Sequence, residues 1–157
     1  NYGNSWLLPA GPLREPRSRL KQVDYVMTKG QAGMNQYHLS IRPREFYQLS
    51  TGEEIELFNW QRRQVHAVAG IANPQEFFDL LRQNHLKVIE HPFPDHHHYT
   101  EKDLSFGDNL PIIMTEKDAV KCKTFATEQY YALAIELELP GVVLDSIKSQ
   151  IMGMRND

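Results

Sequence analysis

Residues 64–92 read QVHAVAGIANPQEFFDLLRQNHLKVIEHP. VHAVAGI (65–71) is an apolar run that ends in a turn at Gly70, which predicts a buried strand. Asn73-Pro74-Gln75-Glu76 then predicts a helix start on three grounds. Asn73 suits the N-cap, Pro74 suits the first helical position, and Glu76 can reach back as a capping box. Phe77, Phe78, Leu80 and Leu81 supply the buried face of that helix. LKVIEH (86–91) is the next strand. Strand, helix and strand in succession set the class as α/β.

The pattern continues downstream. TEKD occurs at 100–103 and again at 115–118. Each predicts a helix start, with the threonine as cap and the aspartate bonding back or favouring the helix dipole. PIIMT (111–115) between them is a strand. YALAIELEL (131–139) alternates, with Leu133, Ile135, Leu137 and Leu139 on one side, which predicts a half-exposed edge strand. Pro140-Gly141 breaks it, and Val143, Leu144, Ile147 and Ile151 predict a closing amphipathic helix. The expected architecture over residues 61–157 is a layered α/β/α domain with a mainly parallel sheet.

Upstream the signals are shorter. Residues 37–49 and 53–60 are extended stretches around Ser50-Thr51-Gly52, a hairpin turn signal. VDYVM (23–27) predicts a buried strand stopped by Thr28-Lys29-Gly30, after a short helix over Arg17–Gln22. Residues 1–16 hold three prolines and two glycines without a period, as expected of a loop. The opening Asn1 and the turn-rich NYGNSW are expected of a piece of a longer chain.

With 157 residues there is room for one domain, or one domain and part of another. The 41% hydrophobic and 24% charged composition points to a globular chain, neither disordered nor membrane-spanning. A net charge of -3 gives no electrostatic reason to expect nucleic acid. The single cysteine, Cys122, excludes an internal disulfide and fits a reducing compartment. No apolar run approaches the roughly 20 residues of a bilayer span, and no signal peptide is visible.

The chemistry concentrates in HPFPDHHHYT (91–100), which holds His91, Asp95, His96, His97 and His98. In an open α/β sheet, ligands bind beyond the carboxyl ends of the strands, and this loop follows such an end, as does the Ala69-Gly70 turn. Three readings stand. Zinc would need three or four convergent ligands, which adjacent histidines supply poorly, and no H-E-x-x-H or paired-cysteine pattern occurs. A histidine beside an aspartate can accept or relay a proton near neutral pH. The third reading is a solvated polar loop. Two prolines stiffen the approach, which suits preorganised groups.

LLPAGPLREP (7–16) is the other candidate. Arg14 in a stiff loop suits phosphate binding, and a local pair with Glu15 is the alternative. TEKD at 115–118 partly matches the guanine-reading T/N-K-x-D, but Lys117 and Asp118 are adjacent, so helix capping accounts for it better. No G-x-x-x-x-G-K-[ST] phosphate loop occurs.

LLPAGPLREP (7–16), VHAVAGIANPQEFF (65–78), HPFPDHHHYTEKDL (91–104) and MTEKDAVKC (114–122), in this order and spacing, resemble the tetraacyldisaccharide 4'-kinases, the lipid A 4'-kinases of Gram-negative bacteria. The resemblance covers nearly the whole chain. It implies two α/β domains joined by a β linker: residues 1–40 as the tail of a P-loop kinase domain, 41–60 as a two-stranded linker, and 61–157 as the second domain. The ATP-binding loop, the Mg²⁺ carboxylates and a catalytic aspartate would lie upstream, so these residues alone are expected to transfer no phosphate.

By the same resemblance Asp95 and His96 match the family's catalytic pair and Arg14 matches a loop arginine that contacts phosphate; His97 is expected to be structural or to face substrate. The implied reaction moves the γ-phosphoryl of ATP to the 4'-hydroxyl of an acylated glucosamine disaccharide, at the cytoplasmic face of the inner membrane. Ala72 and Glu76 depart from the family's more frequent glycine and arginine, and Thr28-Lys29-Gly30 from its Asn-Gly. The alternative from another class is a non-catalytic α/β module that binds a metal or a partner.

Overall fold

A computed structural model describes residues 6–11, 13–29 and 31–153 of the chain. Expectations that fall on Asn1–Ser5, on Pro12 and on Gly30 lie outside the described residues. The chain forms two compact units. One comprises the described residues up to Ser40 with those from Leu137 onward, and the other is Ile41–Glu136.

In the first unit, Leu7 and Leu13 form a bridge, with Leu8 N–H donating to Leu13 O at 2.8 Å. A 3-10 helix covers Arg17–Gln22, as expected. Strands β1 (Met27–Thr28) and β2 (Tyr37–His38) pair in parallel. The buried strand expected over 23–27 is therefore corrected. Only Met27 of that segment is in β1, and Val23 is 41% exposed. A two-residue ladder is too short to cover the segment that precedes it.

The main sheet has six strands. They are β3 (Ser40–Gln48), β4 (Glu54–Glu56), β5 (Gln64–Ala69), β6 (Lys87–Pro92), β7 (Ile112–Thr115) and β8 (Tyr130–Glu138), in the order β4-β3-β8-β7-β5-β6. β5 pairs in parallel with β6 and β7, and β7 pairs in parallel with β8. β3 and β4 are antiparallel around the expected turn, where Gly52 has φ 76° and donates to Gln48 O at 2.8 Å. Glycine takes that left-handed conformation without steric cost.

Helix α1 (Pro74–Gln83) starts where expected, with Pro74 first. The Asn73 side chain, however, does not cap the backbone. Its amide donates to Glu76 Oε1 at 2.7 Å, so the two side chains satisfy each other instead of the helix end. Phe77, Phe78 and Leu81 pack with Val65, Ala67, Ala69, Ile113 and Leu133 on one face of the sheet. Burying each of the larger side chains contributes about 1.5–3 kcal/mol. Helix α2 (Glu116–Cys122) covers the other face, where Ala119 and Cys122 pack with Val68, Ile112, Met114 and Ala132. Because side chains alternate along a strand, residues 65, 67 and 69 serve α1 while 68 serves α2. This is a mixed α/β fold with a mostly parallel central sheet.

β8 is not an edge strand. It lies between β3 and β7, with Ala132 and Leu133 both buried, while Ile135 and Leu137 farther along are exposed. The alternation of its sequence predicts one buried and one exposed side, but the first half is largely buried and Ile135–Glu138 are all exposed. Helix α3 (Gly141–Gly153), in the first unit, buries Val143 but leaves Leu144 and Ile151 exposed. It is tied within that unit by a hydrogen bond from the Tyr25 hydroxyl to Ser146 Oγ.

Candidate functional site

Parallel β5, β6 and β7 end at Ala69, Pro92 and Thr115 on one edge of the sheet. The turns that follow carry Gly70, the Pro94–Tyr99 loop and the first turn of α2. These three segments build the site.

Asp95 and His96 occupy a tight turn in which His97 N–H donates to Pro94 O at 3.1 Å. His96 adopts φ 62°, the left-handed region, and its side chain is 77% exposed. A non-glycine residue held there carries conformational cost, and such positions concentrate at functional sites. Asp95 Oδ1 accepts from the His96 amide at 3.0 Å and from Lys117 Nζ at 3.0 Å. Its other oxygen, Oδ2, faces His96 Nε2 at 3.7 Å, beyond hydrogen-bond distance. Lys117 holds the Asp95 carboxyl below the usual carboxylate range, with His96 acting in the same sense.

Beneath the loop lies a buried carboxylate, Asp118, with no exposed surface. Its Oδ2 accepts from the Gly70 amide at 2.9 Å and from the Thr115 hydroxyl at 2.7 Å, and its Oδ1 accepts from Lys121 Nζ at 2.9 Å. Thr115 Oγ in turn accepts from the Asp118 amide at 3.2 Å, the cap predicted for this TEKD. The Tyr99 hydroxyl is buried nearby with no hydrogen-bond partner. Burial and then the Asp118 charge push the Tyr99 hydroxyl's pKa up. A Cβ on Gly70 would meet the Tyr99 hydroxyl at 2.6 Å and Pro94 O at 3.3 Å, so only glycine fits where the three segments meet.

At the other TEKD, Thr100 N–H and its hydroxyl donate to Asp103 Oδ2 at 2.8 and 2.7 Å. Those bonds pull the Asp103 carboxyl below its ordinary range, with a smaller contribution from His97. His97 Nε2 approaches Asp103 Oδ2 at 3.5 Å without hydrogen-bond geometry. Its ring packs against both Phe93 and Tyr99, with centroids 4.7 and 4.9 Å away.

The structure therefore brings Asp95, His96 and His97 together in one loop. Arg14 belongs to the other unit and is exposed, and its neighbour Glu15 pairs with Arg19 at 3.2 Å. His91 stands apart from the loop that follows it. Its Nε2 lies 2.9 Å from His66 Nδ1, and His66 Nε2 lies 3.0 Å from Asp108 Oδ1. Phe106 stacks on the His91 ring at 3.9 Å. His66 and Asp108 also line a cavity of about 600 Å³ at the starts of β7 and β8, the strand ends opposite Asp95.

Sequence reasoning missed Lys117, His66 and Asp108. Lys117 was legible only as part of a helix start, and no local spacing links it to Asp95. Among the described residues, no group of three His, Cys, Asp or Glu side chains forms a candidate metal site. Among them, too, no helix is long and apolar enough to cross a membrane.

Residues 1–152 match the family model described as tetraacyldisaccharide-1-P 4'-kinase. A tetraacyldisaccharide 4'-kinase of Stenotrophomonas maltophilia (strain R551-3) is 42% identical over 98% of this chain and 48% of its own. Its counterpart in Alcanivorax borkumensis is 43% identical over 96% of this chain and 47% of its own. The chain thus spans about half the length of the curated relatives it matches. Among solved structures, the "apo" form of LpxK from Aquifex aeolicus, in complex with ATP, is similar with a TM-score of 0.68. The sequences are 24% identical, over 94% of this chain and 49% of that one.

Proposed function

The chain belongs to the tetraacyldisaccharide-1-P 4'-kinase family, and from that premise we propose that it is the carboxy-terminal part of a lipid kinase. The reaction would transfer the γ-phosphoryl of ATP to the 4'-hydroxyl of a tetraacyl disaccharide 1-phosphate in lipid A biosynthesis. The kinase name shared by the relatives supports both donor and acceptor. In this reading residues 1–40, with which the described residues from Leu137 onward form one compact unit, close a P-loop kinase domain, 41–60 link, and the second domain begins at residue 61. The whole protein works at the cytoplasmic face of the inner membrane, where its lipid substrate resides.

The observation that carries the reading is the His96–Asp95 turn, exposed at the carboxyl edge of a parallel sheet and held in a left-handed backbone. His96 takes the proton of the 4'-hydroxyl as its oxygen attacks the γ-phosphorus, and the bond from phosphorus to the bridging oxygen of ADP breaks. A sugar hydroxyl is a poor nucleophile at neutral pH, and a positioned base contributes about 10²–10⁴ in rate. Asp95 orients the imidazole and balances the charge it gains. His97 lines the substrate side of the loop, and Arg14 contacts phosphate. The described residues offer no cluster of donors for Mg²⁺. In this reading the ion is held elsewhere in the longer enzyme, and no step here passes through it.

The test is phosphate transfer from ATP to the lipid disaccharide by the full-length enzyme carrying this chain, wild type against His96→Ala at saturating substrate. A fall in kcat of about a hundredfold or more with an intact fold is expected. Near-normal kcat would remove the catalytic role from His96.

A further inference from the structure

The second TEKD (115–118) explains itself only in part as a helix start. Thr115 and Asp118 face inward and cap α2, but Lys117 turns away from them. Its Nζ sits 3.0 Å from Asp95 Oδ1 across 22 residues of sequence. The same Oδ1 accepts the His96 amide at 3.0 Å, which leaves Oδ2 as the oxygen that faces the His96 ring. The two oxygens of Asp95 thus have separate tasks. One is anchored by a cation and a backbone amide, and the other is presented to the imidazole.

The anchor itself is fixed. Lys117 stands on the first turn of a helix only seven residues long, which alone would fray. The wholly buried Asp118 prevents this by holding the Gly70 amide, the Thr115 hydroxyl and the Lys121 ammonium at once. Lys121 also lies over the Tyr99 ring at 5.4 Å, which links α2 to the far end of the loop that begins at Pro94. Asp118 therefore bonds α2 to the turn after β5, and the preceding residue, Lys117, reaches the loop after β6.

We propose that Lys117 is a positioning residue for phosphoryl transfer: it pins Asp95 Oδ1 so that Oδ2 is turned to His96, and the Asp118–Gly70 bond keeps Lys117 in place. The proposal rests on the function proposed above for His96 and deepens it. The half-exposed ion pair adds little to stability, since exposed pairs are weak. Its effect lies in geometry and in the ionisation of Asp95. The Lys117 charge favours the carboxylate, so its loss moves protonation of Asp95 to higher pH.

The experiment uses the full-length enzyme and compares wild type, Lys117→Met, Lys117→Arg, Asp95→Asn and the Asp95→Asn/Lys117→Met double variant. Thermal melts confirm that each is folded. Lys117→Met is expected to lose about tenfold or more in kcat with little change in KM, because small displacements of a catalytic group have large effects on rate. The acid limb of its pH profile should move upward, and Lys117→Arg should restore most of the loss. In the Asp95→Asn background the lysine change should have almost no further effect.

Normal kcat and an unmoved acid limb in Lys117→Met would overturn the proposal, as would additive losses in the double variant. A His96→Ala control separates the two levels. If it is inactive while Lys117→Met is normal, only the role of Lys117 fails. If His96→Ala is itself active, the catalytic assignment beneath the proposal fails with it.

Discussion

The Gly70 amide donates to Asp118 Oδ2 at 2.9 Å, joining the turn after β5 to the first turn of α2 across 48 residues of sequence. That bond is the centre of a small polar core in an otherwise apolar layer. Asp118 is fully buried, and each of its oxygens is occupied by a donor.

Removing that carboxylate should be severe. Asp118→Ala leaves the Gly70 amide, the Thr115 hydroxyl and the Lys121 ammonium without their acceptor. Breaking a buried ionic pair by removing one partner costs about 3–5 kcal/mol. Urea denaturation of the two proteins measures the difference. A loss below about 1 kcal/mol would show that water replaces the carboxylate and that the network is not structural.

Gly70→Ala places a methyl group 2.6 Å from the Tyr99 hydroxyl and 3.2 Å from Asp118 Oδ1. Overpacking of this kind costs about 1–3 kcal/mol. Tyr99→Phe removes the closest of these atoms, a buried hydroxyl with no hydrogen-bond partner, and should itself be neutral or stabilising by up to about 1 kcal/mol. The double variant should recover part of the Gly70→Ala loss. If Tyr99→Phe is strongly destabilising on its own, its hydroxyl has a bonding role that this geometry does not provide.

A pH effect should come from His91, the last residue but one of β6. Burial first, and then the neighbouring His66, hold the His91 imidazole below its ordinary 6.5, while Asp108 acts weakly to raise it. Between the folded value and 6.5 the unfolded chain binds more protons than the folded one. Stability is therefore intact above about pH 6.5 and falls as the pH drops below it. Melting temperatures recorded from pH 8 down to 5 should show the decline, and His91→Asn should flatten it. An equal slope in the variant would assign the acid sensitivity to other groups.

The βαβ core was legible because its signals are local. Val65 to Ala69 form an apolar run, Pro74 marks a helix start, and Phe77, Phe78 and Leu81 recur at helical spacing. The two TEKD segments show where such signals stop. They share four letters, yet Asp103 sits in a 3-10 turn and bonds only near its own chain position, whereas Asp118 is sealed beneath Gly70. What separates them is a turn 48 residues upstream, and no window around either segment contains it. The same holds for the pairing of Lys117 with Asp95. In β8 the alternation suggested an edge, but the strand's neighbours, β3 and β7, are chosen by the whole sheet. In the site, then, the loop and its histidines could be read directly, and the groups that hold them could not.

Cys122 closes α2 inside the second core layer, fully buried. Burial, reinforced by the nearby Asp118 charge, pushes its thiol up to about 12. At neutral pH it is protonated and shielded, so it ignores alkylating reagents while the layer stays closed. The chain has no other cysteine. Each alkylation event therefore counts one excursion in which α2 lifts from the sheet, and the rate of modification becomes a clock for that local opening.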